Sequence, residues 1–219
     1  MSSWHGVWIT VTFTLAALLA ALAARPAWAD SGPPSLPSVV QETLEVLREV
    51  HEDYGPDAVT LLTWLLDATV KHGSILTASI KVQGLERYGD EAYLSFRVET
   101  GFILNSRAMD GSARLGTLWQ RIVAPALTHL DKLDIPADGV VIDLLYNHKP
   151  YDGEDELRKT LDDPGRPEQA KFYLAAALLR AYLTGALTTQ ALLDRSTVTL
   201  DGRPVAPSLP PGSAGESRS

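Results

Sequence analysis

The sequence predicts an α+β fold, an antiparallel or mixed sheet of about four to five strands with helices packed mainly on one face. Three observations carry that reading. Apolar residues recur at helical spacing across 39–72 and 111–133. Two stretches, "ILTASIKV" at 75–82 and "YLSFRVET" at 93–100, alternate apolar and polar residues instead. A third, "VVIDLLYNHK" at 140–149, is strongly apolar, and Pro150 stops it.

Taken in chain order, the first element is a leader. Val7 to Ala24 is an uncharged apolar run, followed by Arg25-Pro26 and then Ala27-Trp28-Ala29. Small residues at the third-last and last positions, after a helix breaker, suit a signal peptidase, so residues 1–29 read as a signal peptide cleaved after Ala29. The run of about 18 apolar residues is also long enough to span a bilayer, so an uncleaved N-terminal anchor is the alternative. Residues 30–38, "DSGPPSLPS", form a Pro/Ser-rich linker, and residues 39–205 make a single α+β domain. The tail at 206–219, rich in Pro, Gly and Ser, reads as disordered.

Inside the domain, Ser38 caps a helix whose apolar face carries Val40, Leu44 and Leu47. Gly55-Pro56-Asp57 ends it and starts a second helix, apolar nearly all round and so expected at the centre. The two alternating stretches read as a hairpin with Gly84 at a bulge and Gly89-Asp90 at the tip. The helix over 111–133 has an apolar stripe through Leu115, Leu118, Trp119 and Ile122, and Pro125 is expected to kink it. After the strand at 140–148 come a short acidic helix over 152–161 and a turn. Residues 170–174 admit strand or helix; their aromatic content favours a strand feeding the helix that follows. A short helix at 188–196 and a last short strand with an Asp201-Gly202 turn complete the domain.

Composition narrows the functions. The chain carries a net charge of −8, and loss of Arg25 with the leader takes it to −9. An acidic chain without a Lys/Arg cluster argues against nucleic acid as a partner. With no cysteine, disulfides, thiolate metal sites and a cysteine nucleophile are all excluded. No P-loop, dinucleotide fingerprint, G-x-S-x-G elbow or H-E-x-x-H pair occurs, so no cofactor and no metal are expected.

Two groups of residues remain as candidates. Tyr146 and His148 share one face at the end of the 140–148 strand, followed by Lys149 and Tyr151; these four are the candidate binding residues. Strand alternation points Asp143 away from Tyr146 and His148, which rules out a relay within the segment. Lys81, Arg97, Glu99 and Asp143 form a candidate charged sheet face, with Asp143 expected to meet water or pair with Arg97.

These features are read as a bacterial envelope protein, periplasmic or secreted, acting as a non-catalytic binding or accessory module. Its partner would be a small ligand or an envelope protein, and the membrane would be touched only through residues 7–24 of a retained leader. Two alternatives stand beside it: a cofactor-independent hydrolase with its site near the end of strand 140–148, and a membrane-anchored structural domain.

Overall fold

The computed structural model describes residues 9–10, 38–72, 79–153, 163 and 165–210. The cleavage site at Ala29, most of the linker and most of the acidic helix expected over 152–161 lie outside the described residues. Within them the fold is α+β, built on one mixed sheet.

Helix α1 (Ser38–Tyr54) stops at Gly55, whose φ of +87° is open to glycine at little cost. The Gly55 N–H donates to the His51 carbonyl at 3.0 Å, and Pro56 then opens α2 (Pro56–His72). Ala58, Leu61, Leu62, Leu65 and Ala68 of α2 are buried, which places this helix against the sheet as its apolar character requires. The Asp57 carboxylate accepts from the Asp134 N–H at 2.7 Å and ties the start of α2 to the approach of a central strand.

The hairpin follows. Strand β2 (Ser79–Tyr88) pairs antiparallel with β3 (Glu91–Asn105) around a turn at Gly89, with a bulge between Val82 and Gly84. Ile9–Thr10, named here β1, adds a two-residue antiparallel rung to the outer edge of β2. From β3 the chain crosses over through α3 (Gly111–Leu118), a π turn (Trp119–Val123) and α4 (Ala124–Leu127). Asp110 caps α3 through its carboxylate, which accepts from Ala113 N–H at 2.8 Å. The kink expected from Pro125 takes the form of the π turn. Pro125 has no N–H for the turn before it, and the widened turn lets the Ala124 N–H reach the Trp119 carbonyl.

The crossover sets β4 (Gly139–Lys149) parallel to β3. Strand β5 (Arg166–Ala175) runs antiparallel to β4 and passes straight into α5 (Ala176–Leu183), so residues 170–174 are strand. Helix α6 (Thr189–Arg195) leads to β6 (Thr197–Leu200). A tight turn with Asp201 at φ +47° and Gly202 at φ +75° then brings β7 (Arg203–Pro204) back on β6. The spatial order is β1-β2-β3-β4-β5-β6-β7. Six strands thus lie between Ser79 and Pro204, where the sequence led us to expect four or five; the two-residue β7 is too short to leave a period-two signal.

Alternation divides the sheet. Leu94, Phe96 and Val98 of β3, Val140, Ile142, Leu144 and Tyr146 of β4, and Ala170, Phe172 and Leu174 of β5 join the helices in one apolar cluster. Among the described residues, only Tyr93, Val141 and Tyr173 cluster on the opposite face, with no helix among them. Ala206–Pro210, which the sequence assigns to the tail, runs along α3, where Ser208 N–H donates to the Ser112 carbonyl at 3.0 Å. A Cβ on Gly116 would collide with the Ser208 carbonyl, so glycine is what lets this strap approach. Among the described residues, no helix is long and apolar enough to cross a membrane.

Candidate functional site

The candidate residues divide between two places on the sheet. Tyr146 and His148 lie on the helix-side face near the end of β4, and β5 brings Glu168 opposite Tyr146. Glu168 is 8% exposed and Tyr146 2%. The Glu168 carboxylate accepts two hydrogen bonds from the Arg114 guanidinium, at 2.9 and 2.8 Å, and a third from the Tyr146 hydroxyl. His148 Nε2 stands 3.8 Å from the same carboxylate, and its buried Nδ1 has no hydrogen-bond partner.

Burial alone would raise the Glu168 pKa, but the hydrogen bonds from Arg114 and Tyr146 and the Arg114 charge hold it below the usual carboxylate range. The Tyr146 phenol is pushed up, by burial first and then by the carboxylate it serves. A carboxylate held ionised by a bidentate guanidinium is a poor general base. The cluster's first role is to hold the crossover helix against the sheet.

Lys149 and Tyr151 do not join this group. Lys149 points to the other side, is buried, and donates from Nζ to the Asp163 carbonyl at 2.8 Å. Tyr151 is held by its backbone: its carbonyl accepts from Asn105 Nδ2 at 2.8 Å. An ion pair between Arg107 and Asp152 fastens the same two loops.

The second place is the helix-free face. Register puts Lys81, Arg97, Asp143 and Lys171 side by side across β2 to β5, with Glu99 one row along, opposite Ser79 and Leu145. Asp143 does not meet water: it is 1% exposed, flanked by the longer side chains of Arg97 and Lys171 that screen it. Its carboxylate accepts from Gln169 Nε2 at 2.8 and 3.0 Å, and Arg97 Nη1 lies 4.0 Å away. Beside it, Glu86 accepts from Lys171 Nζ at 2.7 Å and from the Tyr173 hydroxyl at 2.6 Å. Tyr173 in turn contacts Tyr88 at 4.4 Å between ring centroids and Tyr93 edge-on at 5.5 Å. Burial would raise the Glu86 pKa, yet the bonds from Lys171 and Tyr173 bring it below its ordinary value.

Asp143 behaves in the opposite way. Burial raises its pKa, and the Gln169 amide and the Lys171 and Arg97 charges only partly offset this. A folded-state pKa above the unfolded value means that the ionised form costs stability, a cost relieved as pH falls through the folded pKa. The wild-type protein is therefore expected to gain stability relative to Asp143→Asn as pH falls from about 7 to about 4. Urea melts of the two proteins across that range measure it; a gap that does not change with pH would mean that Asp143 titrates as in the unfolded chain.

The residues that sequence reading missed are Arg114, Glu168, Gln169, Lys171, Tyr173 and Glu86. Once β5 is known to be a strand, alternation would have placed Glu168 on the core side and Gln169, Lys171 and Tyr173 on the other. A groove of about 500 Å³ lies at the sheet edge, lined by Asp53, Tyr54, Gln83, Gly84 and Leu85, apart from both clusters. Among the described residues, no group of three His, Asp or Glu side chains could hold a metal ion. Comparison with protein-family profiles, with curated protein sequences and with solved structures finds no match to this chain.

Proposed function

We propose that this protein is a non-catalytic binding module of the bacterial envelope, exported by its leader, whose ligand lies on the helix-free face of the sheet. One observation carries the reading. That face holds a prearranged polar set, in which Glu86 accepts hydrogen bonds from Lys171 and Tyr173 and Arg97 stands 4.0 Å from Asp143, while the described helices all pack on the other side. Side chains already held in place bind without a large ordering cost. Tyr88 is 40% exposed at the margin of this face and offers a ring for stacking. The chemistry fits a small amphipathic molecule bearing charges of both signs, since the cations Lys81, Arg97 and Lys171 share this face with the carboxylate of Glu86.

Native mass spectrometry of the protein recovered from the envelope tests this reading. The expected result is a chain beginning at Asp30 that carries extra mass released on denaturation. Lys171→Ala should then weaken retention about tenfold, the worth of one charge-assisted hydrogen bond of roughly 1.5 kcal/mol. A bare chain, or a ligand indifferent to Lys171→Ala and Tyr88→Ala, would overturn it, and a mass retaining residues 1–29 would favour a membrane-anchored domain.

The hydrolase reading keeps one observation in its favour, the unpartnered Nδ1 of His148 beside the Glu168 carboxylate. It ranks second because that carboxylate is already committed to Arg114 and Tyr146. Unchanged hydrolysis of a panel of ester and amide substrates in His148→Ala would remove it.

A further inference from the structure

We propose that in the exported chain the outer edge of β2 pairs with β2 of a second copy, antiparallel about a two-fold axis at Gln83-Gly84, so that one sheet runs through a dimer. The inference rests on the export reading above, in which Ile9 and Thr10 leave with the leader. Among the described residues, those two supply the outer partner of β2, antiparallel at Ile80 and Ser79. The edge is thus one that takes an antiparallel strand. Without them its outer row of N–H and C=O groups is open to another.

The bulge makes β2 complementary to itself. Ile80 and Val82 stand opposite Val98 and Phe96, and Leu85 opposite Leu94, so all three lie on the helix side. Lys81 and Glu86, opposite Arg97 and Tyr93, lie on the helix-free side. Gln83 is the extra residue between these two registers. A regular strand turned about a point between successive residues would set side chains of opposite faces against each other. With the bulge at the axis the faces agree. Val82 meets the second copy's Leu85, which is 56% exposed in the single chain, and Lys81 meets its Glu86. The two-fold makes each of these contacts twice. Glu86 has room for the lysine: its Oε1 serves Lys171 and Tyr173, whereas its Oε2 meets Ser95 Oγ at 3.5 Å. Beside the axis, the groove of about 500 Å³ lined by Asp53, Tyr54, Gln83, Gly84 and Leu85 leaves space for the incoming backbone.

Sedimentation velocity of the protein recovered from the envelope, from about 1 to about 100 μM, tests the pairing, with the N-terminus read by mass on the same sample. A dimer of chains beginning at Asp30 is expected. Lys81→Glu sets like charges together at both ends of the seam and should weaken the dimer at least tenfold, by about 1.4 kcal/mol or more. The chain has no cysteine, so one introduced thiol reports the register. Gln83→Cys lies beside its own copy at the axis and should form a disulfide-linked dimer under mild oxidation. Arg87→Cys falls opposite Ile80, about 23 Å from its copy at roughly 3.3 Å per residue, and should not. A monomer beginning at Asp30 would overturn the pairing and leave export standing. A chain retaining residues 1–29 would remove export and the pairing with it. A dimer indifferent to Lys81→Glu, or one linked through Arg87→Cys, would give the contact to another surface and overturn the proposal.

Discussion

Glu168→Ala is expected to cost about 3–5 kcal/mol, the range for breaking a buried ion pair from one side. The reason lies in what is left behind. Arg114 and Glu168 side chains are only 9% and 8% exposed, and Glu168 accepts from Nε and Nη2 of the guanidinium and from the Tyr146 hydroxyl. Truncating the acid strands a buried cation and a buried phenol. Arg114 also donates to the Met109 carbonyl at 2.9 Å, so the first turn of α3 should loosen with it.

Replacing both partners by apolar residues, as in Arg114→Met with Glu168→Leu, should restore most of the loss, because no uncompensated charge remains. Urea unfolding of the three proteins gives the comparison; a single-variant loss below about 1 kcal/mol would mean that the pair is solvated in solution. Acid acts on the same bond. With its folded pKa below the unfolded value, Glu168 contributes stability above the unfolded pKa, and that contribution is lost as pH falls through the folded one. Glu168 and Asp143 therefore pull in opposite directions on acidification, and the two substitutions separate them.

Gly139→Ala carries the second large effect, about 3 kcal/mol and a fall in Tm of roughly 6–12 °C. Gly139 opens β4 opposite Ala175 of β5 and Tyr93 of β3. A methyl group there would collide with the Leu174 carbonyl oxygen and lie 2.9 Å from Ala175 Cα and 2.8 Å from the Tyr93 ring. Two of those atoms are backbone in the middle of a sheet, which can yield only by parting the strands. Circular dichroism melts report the shift, and a Tm within about 2 °C of wild type would show that the strand start can move aside at little cost.

Much of the fold was legible because β2 and β3 alternate apolar and polar residues with one face against helices, and because Gly55, Gly84 and Gly89 stand where the backbone needs positive φ. The core of the candidate site was not legible. Glu168 occupies a core-facing position of β5, where binary patterning expects an apolar residue, so the segment "RPEQ" reads as the end of a turn. Its cation, Arg114, comes from the first turn of a helix on the crossover, and no local spacing links the two. Asp143 posed the reverse difficulty. The sequence showed a charge on a strand and offered water or Arg97 as its partner, but the nearer partner is the neutral Gln169, visible only after β5 is set in register with β4.

The order of the strands has a consequence for how the chain reaches this state. Because spatial order repeats chain order, nearly every pairing joins neighbours in sequence, and most close over short turns or one compact excursion. Between β2 and β7 the longest ring to close is the parallel seam of β3 and β4, which must wait until residues 106–138 have been laid across the sheet. A polypeptide delivered N-terminus first can assemble the β2–β3 hairpin at once, then waits for this longer closure before the strands that follow add in turn.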